Sequence, residues 1–222
     1  MSRVVTVIPV RGSSSAKTRL APLFTEDERL ALVWAMLRRL IEEIDASGVI
    51  EQTVIVTRDE PAVRSHIPEH ANLTVLDQGA HVVGLNGGLE FAREWAMANG
   101  FEVLLVLPGD LPLINADDIR ALIQADGAFV FATDRGDGGT NAIRIDLRSP
   151  EASTFRFLMG KGSLAHHRHE VSRLGAVPTV VSLPRVAHDL DSPNDWADLA
   201  SSRQRMLLED IHESLLAAGH LA

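Results

Sequence analysis

Cysteine is absent from the 222-residue chain, which excludes disulfides and thiolate-held metal centres. No apolar run approaches the ~18 residues that a membrane-spanning helix needs, so no membrane partner is expected. No secretory leader is expected either. The first apolar run, Val4 to Val10, already reads as a strand, and a cytoplasmic protein is expected. Basic charge is also scarce: 21 Lys and Arg stand against 30 Asp and Glu, for a formal net charge of −9. That balance argues against a nucleic-acid partner, which calls for a basic face. An acidic protein that handles phosphates must concentrate its cations locally or recruit a metal. No linker, repeat or low-complexity tract interrupts the chain, so residues 1–222 are expected to form a single domain.

The apolar residues that are present alternate between two periods. Val4–Val10 is short, rich in β-branched residues and bounded by Pro9 and Gly12, the pattern of a buried strand. Thr25 and Glu28 have capping-box spacing, and behind them Leu30, Val33, Trp34, Leu37, Leu40, Ile41 and Ile44 recur at helical intervals. This predicts a long helix to about Ala46, stopped near Gly48. Strands are predicted at Thr53–Thr57, Leu73–Leu76, Val103–Leu107, Ala128–Ala132, Asn141–Ile145 and Pro178–Leu183. Helices are predicted from Gly84 to about Asn99, Ala116 to Gln124 and Ser163 to about Leu174. Ser192 and Pro193 open a last helix, which carries on or resumes through Leu216. Trp34, Trp95 and Trp196 fall in helical stripes and are expected in the core. Strands alternating with helices, and apolar on both faces, imply an α/β fold with a mostly parallel central sheet covered by helices. Ligands of such sheets bind beyond the carboxyl ends of the strands.

Two candidate segments leave strand ends. Arg11–Arg19 is rich in small residues and carries Lys17 and Arg19. It lacks P-loop spacing and reads either as an anion cradle or as a solvated surface loop. Asp110 follows Val-Leu-Pro-Gly directly beyond a strand, where a carboxylate either holds Mg²⁺ or caps a turn or the next helix. Asp189 and Asp191 share one side of an extended segment; either is a second metal ligand, or both favour the positive end of the following helix. Gly136–Asn141 and Gly160–Ser163 pair flexible backbone with hydroxyl or amide side chains, and the second precedes a helix, a natural phosphate seat. His166, His167 and His169 crowd together. They lack zincin spacing and are expected to be partly exposed helix residues.

Six separate pieces then fall in order: Ala16-Lys-Thr-Arg-Leu-Ala-Pro22, Gly84-Leu-Asn86, Leu107-Pro-Gly-Asp-Leu-Pro112, Gly138-Gly-Thr-Asn141, Gly160-Lys-Gly-Ser163 and Asp189-Leu-Asp-Ser-Pro193. With them the chain resembles the guanylyltransferases of coenzyme F420 biosynthesis, the CofC or FbiD family, from the first strand to about Leu199. A related group of predicted glycosyltransferases shares the lysine-arginine loop but typically reads Asp-Gly-Gly-Tyr where this chain has Gly-Gly-Thr-Asn. The resemblance implies a Rossmann-like, GT-A type nucleotidyltransferase fold, with GTP and Mg²⁺ as co-substrates. The second substrate would be a small phosphorylated acid: 2-phospho-L-lactate, phosphoenolpyruvate or 3-phospho-D-glycerate. Position by position, Asp110 matches the metal carboxylate and Lys17 and Arg19 the triphosphate contacts. Arg11 and Asn86 match nucleotide contacts, and Thr140, Gly160 and Ser163 the acceptor-binding set.

Two features depart from the family pattern: Arg11 stands where Lys is frequent, and the stretch between Asn141 and Gly160 is longer, with Phe155-Arg-Phe-Leu-Met159. Competing expectations are another nucleotidyltransferase, a nucleotide-sugar glycosyltransferase, or a non-catalytic nucleotide-binding regulator. The assembly state stays open, a homodimer being one option.

Overall fold

The computed structural model describes residues 2–10, 17–136 and 138–217. Seven strands, β1 (Val4–Val10), β2 (Gln52–Thr57), β3 (Leu73–Asp77), β4 (Val103–Val106), β5 (Phe129–Thr133), β6 (Thr140–Asp146) and β7 (Pro178–Val181), form one sheet in the order β3-β2-β1-β4-β6-β5-β7. Strand β6 is antiparallel to both β4 and β5, and every other pairing is parallel. The strands match the sequence expectation with ends shifted by a residue or two.

Alternation along the strands gives the sheet two apolar faces. Val5 and Val7 of β1 join Val54, Leu104, Phe131 and Ile143 beneath α3 (Gly84–Ala98) and α5 (Ser163–Arg173). Ile8 and Val10 join Ile55, Leu105 and Ala132 beneath α1 (Glu26–Ser47) and α4 (Ala116–Gln124). A third cluster packs α7 (Ser201–Ala217) on the outer side of α1 through Leu32, Met36, Leu207 and Ile211. No helix among the described residues is long and apolar enough to cross a membrane.

The local signals in the sequence explain the helix ends. Thr25 and Glu28 form the reciprocal capping box of α1, and Gly48 ends it at φ +67°, a left-handed conformation that glycine adopts without Cβ strain. Ser192 caps α6 (Pro193–Ala197), with Asp195 completing the box; the chain then breaks and resumes as α7. Helix α2 (Glu60–His66) was not expected. It is too short to display a period, and its signal is only Asp59 as cap with Pro61 in the first turn.

The tryptophan expectation needs correction. Trp34 is buried, but Trp95 and Trp196 are half-buried. Each sits at the margin of its cluster, Trp95 stacked on Phe101 and Trp196 edge-on to Phe24.

The long segment between β6 and α5 is a plug over the first apolar face. Phe155 is fully buried and meets the rings of Phe129, Phe131, Phe157 and His167. Removing such a ring leaves a cavity that close-packed neighbours fill poorly. Phe155→Ala is therefore expected to lower stability by roughly 3–5 kcal/mol, read as a shift of the urea unfolding midpoint.

Candidate active site

The strand order reverses between β1 and β4: the chain moves from β1 outward to β2 and β3, then returns to β4 on the other side. The segments leaving these two strands therefore emerge side by side, where open α/β sheets bind ligands. Arg11 to Ala16, including the Arg11 contact, lie outside the described residues. Lys17 follows at φ +54°, the one non-glycine residue of positive φ among those described, a backbone choice that costs roughly 1–2 kcal/mol. A 3₁₀ turn, Thr18–Leu20, anchors it through the buried Leu20.

This conformation turns Lys17 inward. Its Nζ donates to Asp110 Oδ2 and to Asp191 Oδ1, each at 2.5 Å, and its side chain is only 10% exposed. Burial opposes the ammonium charge, but Asp110 and Asp191 outweigh it and hold the lysine above its ordinary range. Arg19 is exposed at the mouth of the same site.

The carboxylates here are not helix caps. Asn115 caps α4 and Ser192 caps α6, leaving Asp110, Asp189 and Asp191 free for other work. The Asp110 carbonyl accepts from Leu190 N at 3.0 Å, tying the segment after β4 to the one before α6. Asp189 accepts from Asn141 Nδ2 at 3.4 Å. Burial pushes the Asp189 carboxyl up and the charges of Asp110 and Asp191 add to it, against hydrogen bonds from its own backbone and Asn141. Among the described residues no three His, Asp or Glu side chains stand in metal-holding geometry. Two do converge, Asp110 and Asp191, on the point that Lys17 fills. An all-oxygen pair backed by a third carboxylate suits a hard divalent cation that also draws on substrate phosphates.

Above this centre opens a cavity of about 410 Å³, lined by Lys17, Arg19, Asp110 and Asp191 and floored by Met36 and Leu37. A second, of about 250 Å³, adjoins it across Pro9, Val10 and Leu85 and is lined by Arg58, Gln78 and Gly88. Sequence reasoning missed Arg58 and Gln78. Their one signal is position, since each directly follows a strand, β2 and β3. Gln78 Nε2 donates to the carbonyls of Val82 and Gly84, and a Cβ on Gly88 would stand 2.8 Å from Gln78 Oε1, so a side chain there would push this amide from its place.

The expected acceptor residues gather at the next edge. Continuing the antiparallel register of β4 and β6 brings Thr140 beside the segment that carries Asp110. Ser163 Oγ donates to Thr140 Oγ1 at 3.2 Å, and Leu164 N to Gly138 O at 3.4 Å. Gly160 has φ +129°, which L side chains rarely adopt.

One face of α3 fixes the segment leading there. Asn86, Glu90 and Arg93, at helical spacing, grip Met159, Phe157 and Phe155, alternate residues of the irregular segment between β6 and α5. Asn86 Oδ1 accepts from Met159 N at 2.8 Å, Glu90 Oε1 from Phe157 N at 2.9 Å, and Arg93 donates to the Phe155 carbonyl. Asn86 thus stands with the residues expected to bind the acceptor and, like Thr140, Gly160 and Ser163, lines neither of the two cavities.

The three neighbouring histidines of α5 do not share one environment, as the sequence suggested they would. His166 and His169 are exposed, but His167 is fully buried, because it lies four residues after Ser163 on the inward face of α5. It stacks on Phe131 with ring centroids 5.4 Å apart. Glu170, one turn on, is also buried; hydrogen bonds from Arg173 and Arg156 hold its carboxyl far below the usual carboxylate range.

The fold and the site together define a nucleotidyltransferase-type α/β protein. A 4-diphosphocytidyl-2C-methyl-D-erythritol synthase from Anaerococcus prevotii superposes with a TM-score of 0.62 at 11% identity, covering 93% of this chain and 99% of that one. A nucleotidyl transferase from Methanothermobacter thermautotroptrophicus gives 0.61 at 14% identity, covering 93% and 100%. Residues 4–201 match the family model described as "Guanylyl transferase CofC like", and the chain belongs to that family. Among curated relatives, phosphoenolpyruvate guanylyltransferase of Sphaerobacter thermophilus is 35% identical, over 88% of this chain and 92% of its own. The enzyme of the same name from Rubrobacter xylanophilus is 37% identical, over 90% and 94%. The 3-phospho-D-glycerate guanylyltransferase of Phenylobacterium zucineum is 32% identical, over 87% and 88%.

Burial pushes the His167 imidazole down to about 4, and this sets a pH dependence. As pH falls from about 6.5 toward 4, the unfolded chain takes up a proton that the native chain refuses, so stability is lost over that window. The loss amounts to about 3 kcal/mol at most. Urea midpoints at pH 7 and pH 4.5 are expected to differ more for the wild type than for His167→Asn, which removes this titration.

Proposed function

We propose that this chain is a guanylyltransferase that moves GMP from GTP onto the phosphate of a small phosphorylated acid and releases pyrophosphate, a step of coenzyme F420 biosynthesis. The acceptor is phosphoenolpyruvate, 2-phospho-L-lactate or 3-phospho-D-glycerate. The first is favoured by the names of the Sphaerobacter and Rubrobacter relatives. The observation that carries the reading is the convergence of Asp110 and Asp191 on Lys17, at 2.5 Å each, beneath a cavity of about 410 Å³ at the β1/β4 edge.

The acceptor phosphate is already an anion near pH 7, so its attack needs no general base. One of its oxygens bonds to the α-phosphorus of GTP. The bond from that phosphorus to the oxygen bridging to the β-phosphate breaks, and pyrophosphate leaves with the electron pair. Positioning and charge neutralisation are then the protein's main contributions. Lys17 and Arg19 offset charge on the triphosphate and on the departing pyrophosphate. Thr140, Gly160 and Ser163 hold the acid, with Asn86 keeping the Gly160 segment in place. The adjoining cavity at Arg58, Gln78 and Gly88 takes the base. Asp110 and Asp191, with Asp189 beside them, would hold Mg²⁺, which when bound offsets the repulsion between the two reacting anions.

The point in favour of a non-catalytic regulator, that these carboxylates are caps, is lost, because Asn115 and Ser192 cap α4 and α6. The test crosses four nucleoside triphosphates with the three acids and measures pyrophosphate, with mass spectrometry of the product. GTP with one of the acids is expected to release pyrophosphate and yield a guanosine-diphospho acid. GTP binding without release across the whole panel would overturn the reading, and release of a nucleoside diphosphate would indicate glycosyl transfer instead. Asp110→Asn is expected to lower turnover at least about a hundredfold while GTP binding weakens less. Near-wild-type turnover with Mg²⁺ present would remove Asp110 from the site.

A further inference from the structure

We propose that His167 is a positioning residue that sets the direction of the hydrogen bonds at the acceptor-binding hydroxyls. The inference rests on the reading above that Thr140 and Ser163 meet the phosphorylated acid. Leu158 N lies 2.9 Å from His167 Nε2. A backbone N–H only donates, so Nε2 is the bare nitrogen of the ring. The ring hydrogen of the neutral imidazole is therefore on Nδ1, 3.1 Å from Thr140 Oγ1, and the threonine oxygen accepts it. Ser163 Oγ donates to the same oxygen at 3.2 Å.

With the Ser163 hydroxyl turned to donate, both lone pairs of Thr140 Oγ1 are occupied, and its own hydrogen has no partner among the three side chains. It is left to donate to an anion, a carboxylate or phosphate oxygen of the acid. Were the ring in its other tautomer, Nδ1 would draw the threonine hydrogen onto itself and turn a lone pair toward the incoming anion. The ring has little freedom to choose otherwise: it is fully buried, stacked on Phe131 at an interplanar angle of 8° and tilted against Phe155. The geometry of α5 makes the trio possible, since Ser163 and His167 are four residues apart on one helix face. His167 touches no reacting atom; it acts through Thr140.

A core histidine that merely fills space would show a different response to substitution. His167→Phe keeps the ring stack but has neither nitrogen. His167→Asn places an amide N–H where Nδ1–H stands and keeps the donation to Thr140. KM for phosphoenolpyruvate and for 3-phospho-D-glycerate is measured at saturating GTP, and KM for GTP at saturating acid. His167→Phe is expected to raise the KM of the acid about tenfold, the effect of one lost hydrogen bond to an anion, with the KM of GTP changed less than about twofold. His167→Asn is expected to recover most of that loss. Equal changes in both KM values, or a lowered Tm with neither KM moved, would overturn the proposal.

Thr140→Val separates the two claims. If it leaves the KM of the acid unchanged, the acceptor assignment itself fails. If it raises that KM while folded His167→Phe does not, the assignment stands and the role of His167 falls. Should His167→Phe not fold, or the wild type release no pyrophosphate with either acid, nitrogen NMR of histidine-labelled wild type decides. The proton is expected on Nδ1 of His167 at neutral pH, and a ring protonated on Nε2 would overturn the proposal.

Discussion

One lysine charge shared between two carboxylates holds the functional edge of this protein together. Lys17 reaches Asp110, 93 residues away, and Asp191, 174 residues away, so the ends of β1 and β4 and the segment before α6 are joined at a point. The arrangement is not a stability device. Burying an ammonium costs several kcal/mol before its partners repay it, and the same three segments would associate through apolar contacts at lower risk. It sets two carboxylates on one ammonium beside a cavity, with Asp189 adding a third carboxylate that burial pushes up and the charges of the other two push further. Strained electrostatics of that kind collect where a protein binds charged ligands or performs chemistry.

The rest of the fold holds the second half of the site in register with that point. Because β6 runs antiparallel beside β4, the start of β6 lies next to the end of β4, and Thr140 comes near Asp110 across adjacent strands. Asn141, one residue on, spans the two halves by donating to the Val186 carbonyl and to Asp189. Behind them, Asn86, Glu90 and Arg93 clamp the irregular segment that ends at Gly160, and His167 fixes Thr140 from below. Most of the candidate groups thus sit on strands and helices or are braced by them, the placement that holds a site to within fractions of an ångström.

Much of this was legible in the sequence where the signal is local. Thr25 and Glu28, Gly48, and Ser192 with Pro193 each announce a helix end by their own chemistry, and the structure uses them that way. The buried strands showed as β-branched runs, and Asp110 was conspicuous for following one of them. What the sequence hid depends on contacts between distant residues. Lys17 read as a cation for phosphate, and nothing in its neighbourhood signals that two aspartates from elsewhere converge on it. His167 read, with His166 and His169, as a partly exposed helix residue because the three lack zincin spacing. Its burial follows from the side of α5 that faces Phe131, a tertiary fact. Arg58 and Gln78 carried only the weak signal of following a strand.

Asp191 offers the cleanest probe of the account. Its side chain is 45% exposed, so an amide there disturbs packing little, yet it is one of the two carboxylates that meet at Lys17. The decisive measurement is the rate of pyrophosphate release by purified Asp191→Asn with GTP, phosphoenolpyruvate and saturating Mg²⁺, beside its thermal midpoint. The account predicts a fall of at least about tenfold with the midpoint nearly unchanged. A rate equal to wild type would mean that the convergence of charges at Lys17 is structural and that the chemistry is centred elsewhere.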